Sequence, residues 1–189
     1  MDIGVNFSKQ STIVFSFEDD VMEAIDRFDE YISDRIHGTI YDGCNEIGFL
    51  SMFLFYGDSN FREACDSYNS DLTHVAEAVC TKSGMLKKKY RQSDYSKVAI
   101  LENIYIDKEH RGKGVGSMVL KHLHNMLTYD FHEDNIETIL LHASAYEAAS
   151  KHGFNADEYR KQTNKLISLY EKAGFKYVQN GVMVHTLVQ

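Results

Sequence analysis

Apolar and polar positions alternate over residues 11–17 (STIVFSF) in the two-residue period of a strand. The period then lengthens. Within EDDVMEAIDRFDEYISDRI, Val21, Met22, Ile25, Phe28, Ile32 and Ile36 recur at helical spacing. Asp19 or Asp20 would cap that helix and Gly38 would stop it. TIYDGCNEIGFLSMFLF predicts a hairpin turning at Asp42 and Gly43, its second strand the apolar run 47–57. Residues 58–93 are polar and helix-prone, ending in KSGMLKKKYRQSD. KVAILENIYI (97–106) is a strong strand, followed by a glycine loop and an amphipathic helix with Val115, Met118, Val119, Leu123, Met126 and Leu127 on one face. ETILLHAS (137–144) predicts another strand and TNKLISLYEKAG a helix. FKYVQNGVMVHTLV closes as two strands around Asn180 and Gly181. This order predicts an α/β (α+β) domain with antiparallel neighbours where links are short.

The composition fits one domain over residues 1–189, with 43% hydrophobic and 25% charged residues. A net charge of −8 argues against general affinity for nucleic acid and is expected to keep the chain soluble. If acylated amines are polycations, the acidic face over 18–34 would help attract them. Cys44, Cys65 and Cys80 have no CxxC spacing, which suits reduced thiols better than a disulfide framework or a zinc ribbon. The first ten residues lack the pattern of a signal peptide, and the longest apolar run is too short to cross a bilayer. A cytoplasmic protein without membrane contact is the expectation. His122 and His124, two apart on a helix, point to different faces, and no HExxH accompanies them, so no metal is expected. KKKYR (87–91) reads as a solvated helix end.

The segment HRGKGVGSMVLKHL (110–123) carries the chemistry. The first N–H groups of a helix lack internal partners, and the macrodipole adds about half a positive charge there. Glycines at 112, 114 and 116 remove the Cβ atoms that would hold a phosphate away, and Arg111 and Lys113 add full charges. This is not a P-loop, because Gly114 follows Lys113 where Ser or Thr is needed, and GxGxG is not the GxGxxG of dinucleotide folds. Glu102 interrupts the strand before this loop, four residues from Ile106, so strand periodicity predicts one face for the two.

LENIYIDKEHRGKGVGSMVLKHL resembles the acetyl-coenzyme A motif of the GNAT superfamily of N-acetyltransferases, Arg/Gln-x-x-Gly-x-Gly/Ala, met here by Arg111, Gly114 and Gly116. LISLYEKAGFKYV (166–178) is similar to the family's second landmark, in the right order downstream. The resemblance implies a mixed, largely antiparallel sheet with helices on both faces, splayed between its central parallel strands, the fourth and fifth. It implies acetyl-CoA as cosubstrate, with pantetheine on the backbone of Ile104, Tyr105 and Ile106. The pyrophosphate would lie on Arg111, Gly112, Lys113, Gly114, Val115, Gly116 and Ser117. It implies Glu102 as base, commonly through water, and Tyr170 as the acid facing the cofactor sulfur. The family often carries Asn seven residues before that tyrosine; Thr163 stands there in this chain, with Asn164 one residue later. Residues 58–93 and 145–163 read as acceptor-side insertions.

The implied activity is acetyl transfer to a primary amine of a small molecule or protein, by direct attack in a ternary complex. The alternatives are a non-catalytic acyl-CoA-binding module and a transferase aimed at aminoacyl-tRNA, the latter disfavoured by the acidic balance. A homodimer is left open.

Overall fold

Ile3, Val5 and Phe7 are half-buried while Gly4, Asn6 and Ser8 are exposed, and this alternation builds an edge strand at the start of the chain. The computed structural model describes residues 3–13, 32–57, 61–91, 93, 96–144 and 156–186. Strand β1 (Ile3–Ile13) pairs antiparallel along its length with β2 (Ile32–Asp42), and β2 turns through Gly43 into β3 (Asn45–Tyr56). Two helices follow, α1 (Phe61–Asp66) and α2 (Ser70–Val79), the second capped by Asn69, whose side chain accepts from the Leu72 N–H. Then come β4 (Lys97–Ile106), α3 (Val115–Asp130), β5 (Ile136–His142), α4 (Ala156–Lys172), β6 (Lys176–Gln179) and β7 (Val182–Thr186). The sheet runs β1-β2-β3-β4-β5-β7-β6, and β4 with β5 is its parallel pair. A mixed, largely antiparallel sheet with two central parallel strands is therefore what the chain builds.

The helix expected to run to Ile36 is corrected at its end: residues 32–36 belong to β2, and residues 14–31 lie outside those described. Ile32, Ile36 and Ile40 are four apart, a spacing that satisfies both the helical and the strand period. Register decides: Ile36 and Ile40 are buried, whereas Arg35 and His37 are exposed. Gly38 is no helix stop. A Cβ there would lie 2.8 Å from the Phe7 ring, so glycine makes room for β1 to pack across β2. Asp34, assigned to an outer acidic face, is buried.

Two cores cover the two faces of the sheet. On one, Ile36, Leu50, Met52, Ala99 and Leu101 pack against Val119, Leu120 and Leu123 of α3 and against Tyr170 of α4. Met118, expected on that apolar face, is 42% exposed, and Leu120 takes its place. On the other, Phe53, Phe55, Val98 and Ile100 pack against Phe61, Leu72, Val75 and Val79 of α1 and α2. Strands β4 and β5 pair from Lys97 with Ile136 to Leu101 with Leu141, while β3 follows β4 as far as Ile106. Past Leu101, β4 has an open edge on the β5 side: the expected splay.

Candidate functional site

The open end of β4 is shaped by a bulge. Ser51 of β3 faces Asn103 and Met52 faces Leu101, leaving Glu102 as the extra residue without a cross-strand partner. A bulge adds one residue to the count, so the expectation that Glu102 shares a face with Ile106 is corrected. Ile104 and Ile106 pack on the α3 side. Glu102 points to the other side, where Oε2 accepts from Arg35 Nη2 at 2.7 Å and from Ser51 Oγ at 3.1 Å.

The Asp107 N–H donates to the Ile47 carbonyl at 2.9 Å, and antiparallel alternation from that bond turns the amides of Tyr105 toward β3 and those of Ile104 and Ile106 toward the open edge. Gly48 permits this closeness, since a Cβ there would lie 2.2 Å from the Tyr105 carbonyl oxygen. Of the three residues expected to offer main-chain groups to a ligand, Ile104 and Ile106 have them free of β3. Tyr105 instead stacks its ring on Phe49 at 5.5 Å and lies under the Arg111 guanidinium at 5.1 Å.

From Ile106 the chain enters the glycine loop. Gly112 (φ +75°) and Gly114 (φ +86°) have left-handed backbones that side chains adopt only at a cost. Gly116 has no such need. A Cβ on any of the three would meet nothing within 4 Å, so the space above them is open. Gly114 is the N-cap of α3 and brings no side-chain bond, which among the described residues leaves the N–H groups of Val115, Gly116 and Ser117 uncapped before Met118 N–H closes the first turn on the Gly114 carbonyl at 2.9 Å. Val115 anchors the turn in the core. Lys113 is exposed, and Arg111 Nε holds the Ile106 carbonyl at 2.7 Å, which fixes its charge at the junction of strand and loop. The loop thus offers uncapped amides, room and positive charge at one end of one helix, the requirements of a phosphate site.

Tyr170 approaches from α4. Its carbonyl accepts from the Phe175 N–H, and Glu171 accepts from Gly174, a helix end that needs the φ of +98° at Gly174. The same turn sets the Tyr170 ring edge-on to Phe175 at 5.9 Å. The ring is buried, which pushes the phenol up to about 12. Tyr170 lies on the α3 side of the sheet and Glu102 on the opposite one, so the two flank the splayed strand from its two faces. Within α4, Thr163 Oγ1 is buried with no hydrogen-bond partner among the described residues, whereas Asn164 is exposed.

On the Glu102 side lies a cavity of about 360 Å³ lined by Ser8, Arg35, His37, Phe49, Ser51 and Asn103. Sequence reasoning missed all six. The one visible signal was Ser51, a lone polar residue inside the apolar run FLSMFLF. Helices α1 and α2, in the segment expected to be an acceptor-side insertion, cover this same face through Phe53, over which Arg35 lies at 5.0 Å. Of the 145–163 insertion, residues 145–155 fall outside those described and the rest belong to α4.

The remaining candidates are structural. In KKKYR, Lys87 donates to the Ala78 carbonyl and Tyr90 is buried beneath Lys89. His122 is exposed, and His124 meets His185 at 6.2 Å. The three cysteines are free thiols; burial pushes Cys80 up to about 12 and Cys65 further still. Among the described residues no group of three or more metal-ligating side chains converges, and no helix is long and apolar enough to cross a membrane.

A family model described as an acetyltransferase (GNAT) domain matches residues 69–177, more than half of the chain. A search of curated proteins by sequence gave no match. Among solved structures the chain is similar to Arabidopsis thaliana NAA60 in complex with a bisubstrate analogue, at 11% identity over 80% of this chain and 75% of that one, TM-score 0.44. It is also similar to a spermidine N-acetyltransferase SpeG chimera from Vibrio cholerae and hSSAT, at 18% identity over 81% and 68%, TM-score 0.39. A third is AtaTR bound with acetyl-CoA, at 10% identity over 98% and 94%, TM-score 0.42.

Proposed function

The chain belongs to the GNAT family of acetyltransferases, and on that premise we propose that it carries an acetyl group from acetyl-CoA to a primary amine of a small molecule or protein by direct attack in a ternary complex. The observation that supports this most is the uncapped start of α3, roofed by open space over three glycines, where β4 parts from β5. The residues fit the cosubstrate. Arg111 to Ser117 would hold its pyrophosphate, the edge amides of Ile104 and Ile106 its pantetheine arm, and the unpartnered Thr163 hydroxyl an amide of that arm. When bound, acetyl-CoA supplies an activated thioester carbonyl and a thiol leaving group.

A primary amine with a pKa of about 10.4 is neutral only about once in 2500 molecules at pH 7, so removal of its proton is worth about 4–5 kcal/mol. Glu102 is the group for this: its carboxylate is fixed by Arg35 and Ser51, two residues that line the cavity an amine would enter. Tyr170 stands on the other face with its proton. Burial keeps that proton on oxygen, so the hydroxyl donates a hydrogen bond to charge developing on sulfur.

The reading is tested by free-thiol release from acetyl-CoA with a panel of amines. Turnover supports it; acetyl-CoA binding with no turnover on any acceptor would favour the non-catalytic module. Gly116→Val isolates the loop. Gly116 needs no positive φ and a Cβ meets nothing of the chain, so thermal stability should change by less than about 0.5 kcal/mol. Acetyl-CoA affinity in calorimetry should fall about 10- to 100-fold, as the side chain fills the phosphate's place. Undiminished affinity would remove the loop from the site.

A further inference from the structure

We propose that the acceptor is an α-amino acid, bound as a zwitterion in the cavity beside β4 with its ammonium on Glu102 and its carboxylate on Arg35; this rests on the acetyltransferase reading above. The cavity volume of about 360 Å³ suits a small metabolite. Its lining is polar except for Phe49, so the occupant is polar too. Arg35 of the lining forms a contact pair with Glu102 beside it: Arg35 Nη2 lies 2.7 Å from Glu102 Oε2, at side-chain exposures of 50% and 24%. A ligand with a single charge would satisfy one member of the pair and sit beside a like charge on the other. A polyamine would meet the Arg35 guanidinium. A ligand carrying both charges on neighbouring groups matches both, and the contact between Nη2 and Oε2 demands that those groups be close. An α-amino acid, with one carbon between ammonium and carboxylate, meets that demand, while an ω-amino acid or a diamine does not.

The guanidinium is prepared for the task. The Phe53 ring beneath it at 5.0 Å sets its plane, and among the described residues Nη2 alone is bonded, so a two-pronged edge remains for a carboxylate. Ser51 Oγ, which also accepts from Asn103 Nδ2 at 3.4 Å, holds the Glu102 carboxylate from below. His37, stacked on Phe49 at 5.7 Å, walls the side on which the acceptor's own side chain would lie.

The chemistry balances. One ammonium proton leaves to solvent through Glu102, and the neutral nitrogen forms its bond to the acetyl carbon as the carbon–sulfur bond breaks. The second N–H proton ends on the departing sulfur, whose charge the Tyr170 hydroxyl steadies by a donated hydrogen bond while keeping its own proton. The products are an N-acetyl amino acid, a free thiol and one proton.

The experiment compares free-thiol release with α-amino acids, their carboxamides, ω-amino acids and spermidine as acceptors, alongside acetyl-CoA calorimetry. The expected result is turnover of α-amino acids with kcat/KM about 30- to 100-fold above their carboxamides, the range for losing hydrogen bonds to a charged group. Arg35→Gln should remove that preference, lowering kcat/KM for α-amino acids about 30- to 100-fold more than for their carboxamides, and leave acetyl-CoA affinity unchanged, which also reports that the variant is folded. Arg35→Lys, which keeps the charge without the fork, should recover part of the preference. Carboxamides or spermidine turning over as well as α-amino acids would overturn the proposal, as would Arg35→Gln slowing every acceptor alike. Acetyl-CoA bound with no α-amino acid acetylated overturns the proposal alone; acetyl-CoA not bound at all overturns the acetyltransferase reading with it.

Discussion

Tyr170→Phe is expected to lower kcat by about 10²–10³-fold while leaving acetyl-CoA affinity and thermal stability near those of the native chain. The two halves of that expectation have separate causes. The ring is structural: edge-on to Phe175 at 5.9 Å, it closes the end of α4, and phenylalanine keeps that contact. The hydroxyl is the chemical part. A phenol pushed up to about 12 is a weaker acid than a thiol of ordinary pKa near 8.5, so it acts first as a hydrogen-bond donor to the departing sulfur and keeps its own proton. This fixes the pH signature. Because burial disfavours the charged phenolate, the donor form persists as pH rises until near 12. The kcat profiles of native protein and variant should therefore run parallel from pH 6 to 10. A variant within about threefold of the native rate would remove Tyr170 from the chemistry, and profiles that diverge below pH 10 would show a phenol far more acidic than its burial allows.

Local periodicity carried most of the architecture. The long strand over 97–106, the hairpin at Asp42 and Gly43, and the paired strands around Asn180 and Gly181 are all built as the residue pattern predicts. It failed where one spacing satisfied two periods: Ile32 and Ile36 read as the end of a helix until pairing with β1 and β3 selected the strand. The alternation of Ile3, Val5 and Phe7 was legible but short, and became a strand only because β2 lies along it.

The two ends of the candidate site were legible for a similar reason. Gly112, Gly114, Tyr170 and Gly174 belong to continuous segments whose turn chemistry is local. The middle was not. Glu102 reached the opposite face through one bulged residue, and a bulge is decided by how β3 and β4 pair rather than by either strand alone. Arg35, His37, Ser51 and Asn103 come from three strands and meet only in the folded sheet. No spacing in the sequence brings Arg35 to Glu102, 67 positions away.

Lys97→Met should be among the most destabilising single changes in the protein, costing on the order of 3 kcal/mol, or about 6–12 °C in Tm for a domain of this length. Lys97 Nζ lies 3.0 Å from Asp34 and 2.7 Å from Asp134, and Lys9 bridges the same two carboxylates at 2.9 and 2.8 Å. Side-chain exposures of 13% for Lys97, 7% for Asp34 and 12% for Asp134 leave little water to replace a lost partner. The network ties β1, β2, the start of β4 and the approach to β5, and so holds the parallel pair closed at the end opposite its splay. Removing Lys97 leaves one ammonium for two shielded carboxylates, whereas Lys97→Met combined with Asp134→Asn removes one charge of each sign and should recover part of the loss. Burial raises Asp134, but hydrogen bonds from Lys9 and Lys97 outweigh it and hold the carboxyl below its usual value. Its contribution is therefore fully present above about pH 4 and lost as pH falls through the lowered value. Burial lowers Lys97, but its bonds to Asp134 and Asp34 outweigh that and raise it, so its contribution is full below about pH 10.5 and fades as pH rises beyond. Thermal melts from pH 2 to 11 should show the native advantage over Lys97→Met flat between those limits and shrinking at both. A Tm within about 2 °C of native at pH 7 would mean that the four charges are held by the sheet rather than holding it.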